Sequence, residues 1–312
     1  MALRTDEYLP VALLRQNGGR GSSNESVTIT APSYFDDFDA HQQQPKSSPL
    51  HNIHVQPCLS GKEATKCLQL AREYAANTGC WDQSSGRHIN YNTVDFEVED
   101  SEDLSAYLNE ICFHSRIVQQ LSEAFEIEEP YITFLDLFCS NYEATTSSQD
   151  LHQQLPTTST TRSTMDSLVM HRDGSLLSFT VLLSDPQIDF DGGGTTFECL
   201  KNVSFVTSSS LDSTTNTATS SSGSSTTADP YHTIVQFSRE HGTVQPQKQG
   251  YCTLHSGKML HGADVVTRGS RCVLVGFMDV APFITDSGRL GEACRQWGRL
   301  DGMKRRYRRL QQ

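Results

Sequence analysis

From Ser60 the chain places apolar residues at a helical interval. "SGKEATKCLQLAREYAANTG" sets Ala64, Cys67, Leu68, Ala71, Tyr74 and Ala75 on one face, the i, i+3, i+4 spacing of an amphipathic helix. Ser60 and Glu63 stand as a capping box, and Gly79 is the stop. A second helical pattern covers about 101 to 125, through Leu104, Leu108, Ile111, Cys112, Ile117, Leu121 and Phe125. From Tyr131 the interval shortens. "YITFLDLFCSNY", "SLLSFTVLL", "TTFECL", "HTIVQF", "GYCTLHSG" and "SRCVLVGFMDV" are short runs rich in Val, Thr, Phe and Leu, bounded by Gly, Asp or Ser. Helices followed by many short strands predict an α+β chain, with N-terminal helices covering a β-sandwich or jelly roll.

The remaining stretches lack such patterns. Residues 1 to 54 are rich in Gly, Ser, Asn and Gln and read as a disordered tail. Residues 145 to 166 are Ser/Thr/Gln-rich, and residues 207 to 227 hold 16 Ser/Thr in 21 positions. Neither can bury a core, so both are expected as exposed insertions in one domain spanning 55 to 283. Residues 284 to 312 are expected to form a basic, helical C-terminal tail.

Composition narrows the setting. No run of 18 apolar residues exists, so no segment is expected to span a membrane. Asp6 and Glu7 precede the apolar patch of the N-terminus and make it a poor secretory signal. The nine cysteines are odd in number and lack any C-x-x-C pair, which argues against a disulfide framework and a structural zinc site. Reduced thiols in the cytoplasm or nucleus are the simplest expectation. Net charge is −12, yet residues 289 to 312 carry eight Lys/Arg and two acids, a net +6 that leaves −18 for the rest. The run "KRRYRR" at 304 to 309 suits nucleic acid, anionic lipid or the chain's own acidic surface.

In "LVMHRDGSLLSF", His171 and Asp173 stand two positions apart, on one face of an extended chain. The pair alone is weak evidence and reads as ordinary strand surface. Ninety residues later "LHSGKMLHGADVVTRGSRCVLVGFMDV" supplies His261 and, ten positions on, Arg271. Two His and one carboxylate make a facial triad that leaves three positions open, which suits non-haem Fe(II) oxygenases. A zinc hydrolase also works with three ligands, but needs one open site and a nearby general base. Arg271 favours iron with a chelating cosubstrate, because a guanidinium clamps a carboxylate with two parallel hydrogen bonds. On an extended strand Arg271, Val273, Val275 and Phe277 share a face, and a buried Arg without a partner would be costly. His255 reads as pocket-lining or core, Lys258 as a turn lysine or a second cationic anchor. Gly192 to Gly194 match no phosphate-loop pattern and read as a tight turn with close backbone approach.

In combined order, "HRDGSLLSFTVLLSDPQIDFDGGGTTFECL" and "GKMLHGADVVTRGSRCVLVGFMD" resemble the prolyl 4-hydroxylase and lysyl hydroxylase branch of the Fe(II)/2-oxoglutarate dioxygenases. The resemblance spans roughly residues 58 to 283. It implies a double-stranded β-helix core, iron at His171, Asp173 and His261, and Arg271 on the distal carboxylate of 2-oxoglutarate. Tyr142, in "FCSNYE", sits where the family often has a Tyr contacting 2-oxoglutarate. The implied reaction consumes O2 and 2-oxoglutarate, releases succinate and CO2, and hydroxylates a C–H bond of a prolyl or lysyl side chain in a protein, with ascorbate as accessory reductant. Phe179, Leu183 and Phe197 are candidates to wall the pocket. A nucleobase demethylase of the same superfamily would hold nucleic acid on the basic tail, but typically adds a second Arg where Phe277 stands. The rival from another class is a catalytically silent jelly-roll protein that binds partners, or senses 2-oxoglutarate, with the tail as its contact.

Overall fold

The computed structural model describes residues 11–17, 25–31, 48–87, 91, 93–145, 164–207, 234–286, 288, 290–292 and 294. Its strands are β1 (Val11–Asn17), β2 (Ser26–Thr30), β3 (Asn52–Pro57), β4 (Asp95–Glu97), β5 (Ile132–Glu143), β6 (Leu168–His171), β7 (Leu177–Leu182) and β8 (Phe190–Gly192). They continue as β9 (Thr195–Phe197), β10 (Ser204–Thr207), β11 (Val235–Ser238), β12 (Thr243–Pro246), β13 (Tyr251–Ser256), β14 (His261–Ala263) and β15 (Val266–Val280). The helices are α1 (Gly61–Thr78), α2 (Glu102–Glu110), α3 (Phe113–Phe125) and α4 (Pro282–Asp286). Among the described residues, no helix is long and apolar enough to cross a membrane.

The larger sheet runs β10-β1-β2-β3-β13-β7-β15-β5-β4 and the smaller β11-β12-β9-β14-β6. Eight strands are divided between the two sheets, alternating in chain order except at β9 and β12, which are neighbours in the smaller sheet. β5, β7, β13 and β15 lie in the larger sheet, as β13-β7-β15-β5, and β6, β9, β12 and β14 in the smaller, as β12-β9-β14-β6. Within this core every pairing is antiparallel. This arrangement is a double-stranded β-helix, the jelly roll of the sequence expectation.

The two-residue pleat of the larger sheet sorts its side chains. Val181, Leu254, Cys139, Cys272 and Leu274 are fully buried in one cluster with Cys67, Leu104, Leu108, Phe113, Ile117 and Leu121 of the helices. Phe179 of β7 joins them, its ring 6.1 Å from both Phe113 and Phe134. It lies across Gly276, its partner on β15, where an added Cβ would come within 2.2 Å of the ring. Each such aromatic or leucine contributes roughly 1.5–3 kcal/mol through burial. Helix α1 begins with the expected capping box: Ser60 N–H donates to Glu63 and Glu63 N–H donates to Ser60 Oγ. Gly79 ends it in a left-handed conformation, φ +70.

The stretch read as a disordered tail needs correcting. Within residues 1–54, β1, β2 and the start of β3 extend the larger sheet, with Val27, Ile29 and Ile53 fully buried. "SVTIT" alternates apolar and hydroxyl residues with a period of two, a strand signal masked by its Gly/Ser/Asn-rich surroundings. The first insertion is also narrower than expected. Met165 is buried and its carbonyl accepts from Glu143 N–H, while Thr145 donates to Asp166. Residues 146–163 and 208–233 lie outside the described residues, as does "KRRYRR"; of the C-terminal stretch, α4 is the helix with described bounds.

His54 on β3 pairs with Thr28 through Nδ1 at 3.1 Å, while its buried Nε2 has no partner among the described residues. Burial pushes its pKa down to about 4. The unfolded chain takes up this proton near the ordinary value of about 6.5, the folded chain only near 4, so stability falls as pH drops through that window. Thermal midpoints measured from pH 7 to 4.5 should therefore decline less steeply in His54→Gln than in the parent. Parallel declines would show that the buried ring does not set the acid sensitivity.

Candidate metal centre

β6 ends at His171, the chain turns through Asp173, and β14 begins at His261, opposite His171 in the smaller sheet. One ligand atom from each of the three lies within 4.8 Å of the others. His171 Nε2 is 3.4 Å from one carboxylate oxygen of Asp173, and His261 Nε2 is 3.4 Å from the other. Two donors bound in cis to one metal at about 2.1 Å lie about 3 Å apart, so the triad is nearly closed as it stands.

The outer nitrogens explain the aim. His171 Nδ1 lies 2.9 Å from the carbonyl of Val169, and His261 Nδ1 lies 2.9 Å from that of Met259. A carbonyl only accepts, so Nδ1 carries the proton in each ring and Nε2 faces the centre, as metal-binding histidines require. Asp173 is held in turn: Ser178 Oγ donates to its Oδ2, and its backbone N–H donates to Gly257. Lys258 Nζ donates to the carbonyls of Asp173 and Gly174 at 3.3 and 2.8 Å, bracing the ligand turn. Lys258 is thus neither an idle turn lysine nor an anchor for a cosubstrate.

Burial opposes ionisation of Asp173, but His171, His261, His255 and the Ser178 hydroxyl outweigh it and lower the carboxyl to about 2. Burial likewise lowers His261, whereas for His171 the Asp173 hydrogen bond and charge prevail over burial and raise it. The centre therefore offers an ionised carboxylate at neutral pH, and the raised pKa of His171 makes the proton a stronger competitor for a metal there as pH falls.

A cavity of about 170 Å³ opens beside the triad. Strand parity lines it. Arg271, Val273, Val275 and Phe277 all face it from β15, as the extended-strand reading expected, joined by Tyr142, Ser140 and Phe138 of β5 and by Ser178 and Thr180 of β7. Arg271 pairs in register with Tyr142, its guanidinium carbon 5.5 Å from the tyrosine ring centre. It is 3% exposed, burial lowers its pKa, and its Nε has no hydrogen-bond partner among the described residues. A buried cation left this way is costly unless an anion meets it. Gly193 forms part of its seat. A Cβ there would lie 2.8 Å from Arg271 Cδ, and φ is +73. The glycine run thus serves close backbone approach, with one of the three making room for the guanidinium.

Other expectations need correction. Phe179, Leu183 and Phe197 do not line the cavity; all three are fully buried in the packed clusters, Phe179 on the helix-facing side of the larger sheet. Phe138 and Phe277 take that place, their rings 5.3 Å apart. His255 does line it, its ring 4.5 Å from that of His261 and buried enough to push its pKa down to about 3. Ser178, Tyr91 and Thr93 escaped sequence reasoning, because no spacing ties them to the ligands.

No family model and no curated protein matches the chain. Among solved structures it is similar to the viral collagen prolyl hydroxylase of Paramecium Bursaria Chlorella virus-1 in its 2OG complex, at 12% identity over 73% of this chain and 96% of that one, TM-score 0.39. The epimerase SnoN from nogalamycin biosynthesis, complexed with Fe3+, alpha ketoglutarate and nogalamycin RO, matches at 17% identity over 73% and 79%, TM-score 0.41. A prolyl 4-hydroxylase from Phytophthora capsici matches at 13% identity over 73% and 59%, TM-score 0.41. These likenesses are distant, and the jelly roll stands on the strand order itself.

Two measurements follow from the triad. Ser178→Ala should weaken Fe(II) or Co(II) binding by about tenfold or more, the usual effect of losing a group that orients a ligand. Metal affinity should also fall as pH drops through the raised pKa of His171, because proton and metal compete for Nε2. Equal affinity in the serine variant, or none of this pH dependence in calorimetric titrations, would contradict the geometry.

Proposed function

We propose that this chain is an Fe(II)- and 2-oxoglutarate-dependent oxygenase that hydroxylates an unactivated C–H bond. The observation that carries the reading is one cavity holding both a His-Asp-His triad and an unmet buried guanidinium. The triad alone suits several metals. Arg271 adds the demand for an anion reaching deep into the same cavity, which a bare hydrolytic zinc site does not make.

His171, Asp173 and His261 would hold the iron, and Arg271 with Tyr142 would receive the distal carboxylate of 2-oxoglutarate. When bound, iron and 2-oxoglutarate together activate O2, so that substrate C–H, 2-oxoglutarate and O2 become substrate C–OH, succinate and CO2. The protein's own contribution is positional. Asp173 stays ionised, Ser178 and Lys258 fix its turn, and the Nδ1 bonds of both histidines hold their rings. Val273, Val275, Phe138 and Phe277 give the cavity apolar walls that exclude water from the reacting C–H bond.

For the substrate, the resemblance supports a prolyl or lysyl side chain of a protein, with ascorbate restoring iron lost to oxidation. A silent scaffold would show a missing ligand, and here all three ligands and the arginine converge.

The test is formation of succinate and CO2 from 2-oxoglutarate with Fe(II), in the presence of proline- and lysine-containing peptides. Arg271→Met should raise the half-saturating 2-oxoglutarate concentration at least tenfold, since charged hydrogen bonds are worth about 1.5–3 kcal/mol. Gly193→Ala should shift it in the same direction by less, and Fe(II) affinity should stay put in both. An unchanged half-saturation in Arg271→Met would remove the guanidinium from the cosubstrate site.

A further inference from the structure

Beside the cavity, one arginine ties together residues that are far apart in sequence. Arg87 Nη1 donates to Asp95 at 2.9 Å, Nε donates to Glu97 at 3.0 Å, and Nη2 reaches both oxygens of Asp136 at 2.9 and 2.8 Å. Its guanidinium carbon also lies 5.1 Å from the centre of the Phe138 ring, and Phe138 lines the cavity. The Asp95 side chain is fully buried and also accepts from Ser85 Oγ at 3.2 Å. Ser85 N–H donates to the Thr93 carbonyl at 2.8 Å, which pairs the two positions on either side of Tyr91. Between these points Tyr91 comes to the triad. Its ring lies 4.9 Å from that of His171, and both Tyr91 and Thr93 line the cavity.

The register shows why this flank matters. Across the larger sheet His255, Ser178, Phe277 and Asp136 form one rung, and Thr253, Thr180, Val275 and Phe138 the next. The β13 end of the first rung is closed by buried His255, 2% exposed and packed 5.1 Å from Phe197. The β5 end, at Asp136 and Phe138, is where Arg87 is fastened. An arginine carrying three carboxylates and an aromatic face is more than the capping of a three-residue edge strand requires.

We propose that Tyr91 is the specificity-determining wall of the metal mouth, met by whatever approaches the open coordination positions beside His171, and that Arg87 is its positioning residue. This rests on the metal reading of the triad but not on the identity of the cosubstrate or substrate. The flanks of Tyr91 are anchored: a buried carboxylate, a backbone bond and a multidentate arginine hold Ser85, Arg87 and Thr93 at β4 and β5.

The experiment uses the full chain loaded with Co(II) and azide as a small ligand of the metal's open positions. Tyr91→Ala should speed azide association at least threefold, and Tyr91→Phe, which keeps the ring, should stay within twofold of the parent. An unchanged rate in Tyr91→Ala overturns the wall. For the positioning role, Tyr91→Trp places a fluorophore at the mouth, with Trp81 and Trp297 as background measured in the parent. Co(II) should quench most of the added emission. Quenching should drop by at least half when Asp136→Asn or Arg87→Lys is combined with it, both milder than deleting the guanidinium above buried Asp95. Equal quenching in all three overturns the role of Arg87. Failure of the parent to take up Co(II) would remove the metal reading itself, and with it this proposal; that outcome is separate from either change in rate or quenching.

Discussion

The two-residue pleat of the larger sheet governs both the core and the cavity. Along β15, Cys272 and Leu274 turn toward the helices while Arg271, Val273 and Val275 turn toward the smaller sheet. A one-residue slip of β15 against β5 would send the guanidinium into the helical layer and Leu274 into the cavity. That error is prevented by the packing of the helix-facing set, in which Phe113, Phe179 and Leu274 are fully buried. The apolar residues that make the fold stable therefore also aim the arginine into the cavity beside the triad.

Two buried charges line the cavity, and they are treated oppositely. Asp173 is surrounded by compensation: two imidazoles and a hydroxyl. Arg271 is offered a tyrosine face and a glycine seat, but its Nε has no acceptor among the described residues. A folded chain tolerates such an arrangement at a cost of a few kcal/mol, and natural proteins retain it where a ligand later relieves it. On the proposed reading, one side of the cavity takes a cation and the other an anion. A small molecule bearing a metal-chelating group and a second carboxylate satisfies both.

Much of this was legible in the sequence. His171, Asp173, His261, Arg271 and Tyr142 could be named because their order and spacing along the chain resemble a known family, where the His-x-Asp pair alone was weak, and the structure brings all five to one cavity. The facing of Val273, Val275 and Phe277 followed from strand alternation. What escaped depends on pairing between distant segments. Phe179 was expected at the cavity, and only its pairing with β15 shows that it packs on the helices instead. Ser178, Lys258 and Arg87 act through partners that no spacing reveals. β1 and β2 were missed because composition outweighed a short alternation, and they hold their place through the neighbouring strands of the sheet.

The central claim is that iron and 2-oxoglutarate share this cavity, and an anaerobic titration addresses it without any knowledge of the substrate. Purified apoprotein is mixed with Fe(II) and then 2-oxoglutarate while the visible spectrum is followed for the charge-transfer band of the chelated complex. The account predicts a saturable band with one iron per chain, absent in His171→Ala and reached only at higher 2-oxoglutarate in Arg271→Met. A folded parent protein that binds Fe(II) yet gives no band would contradict it.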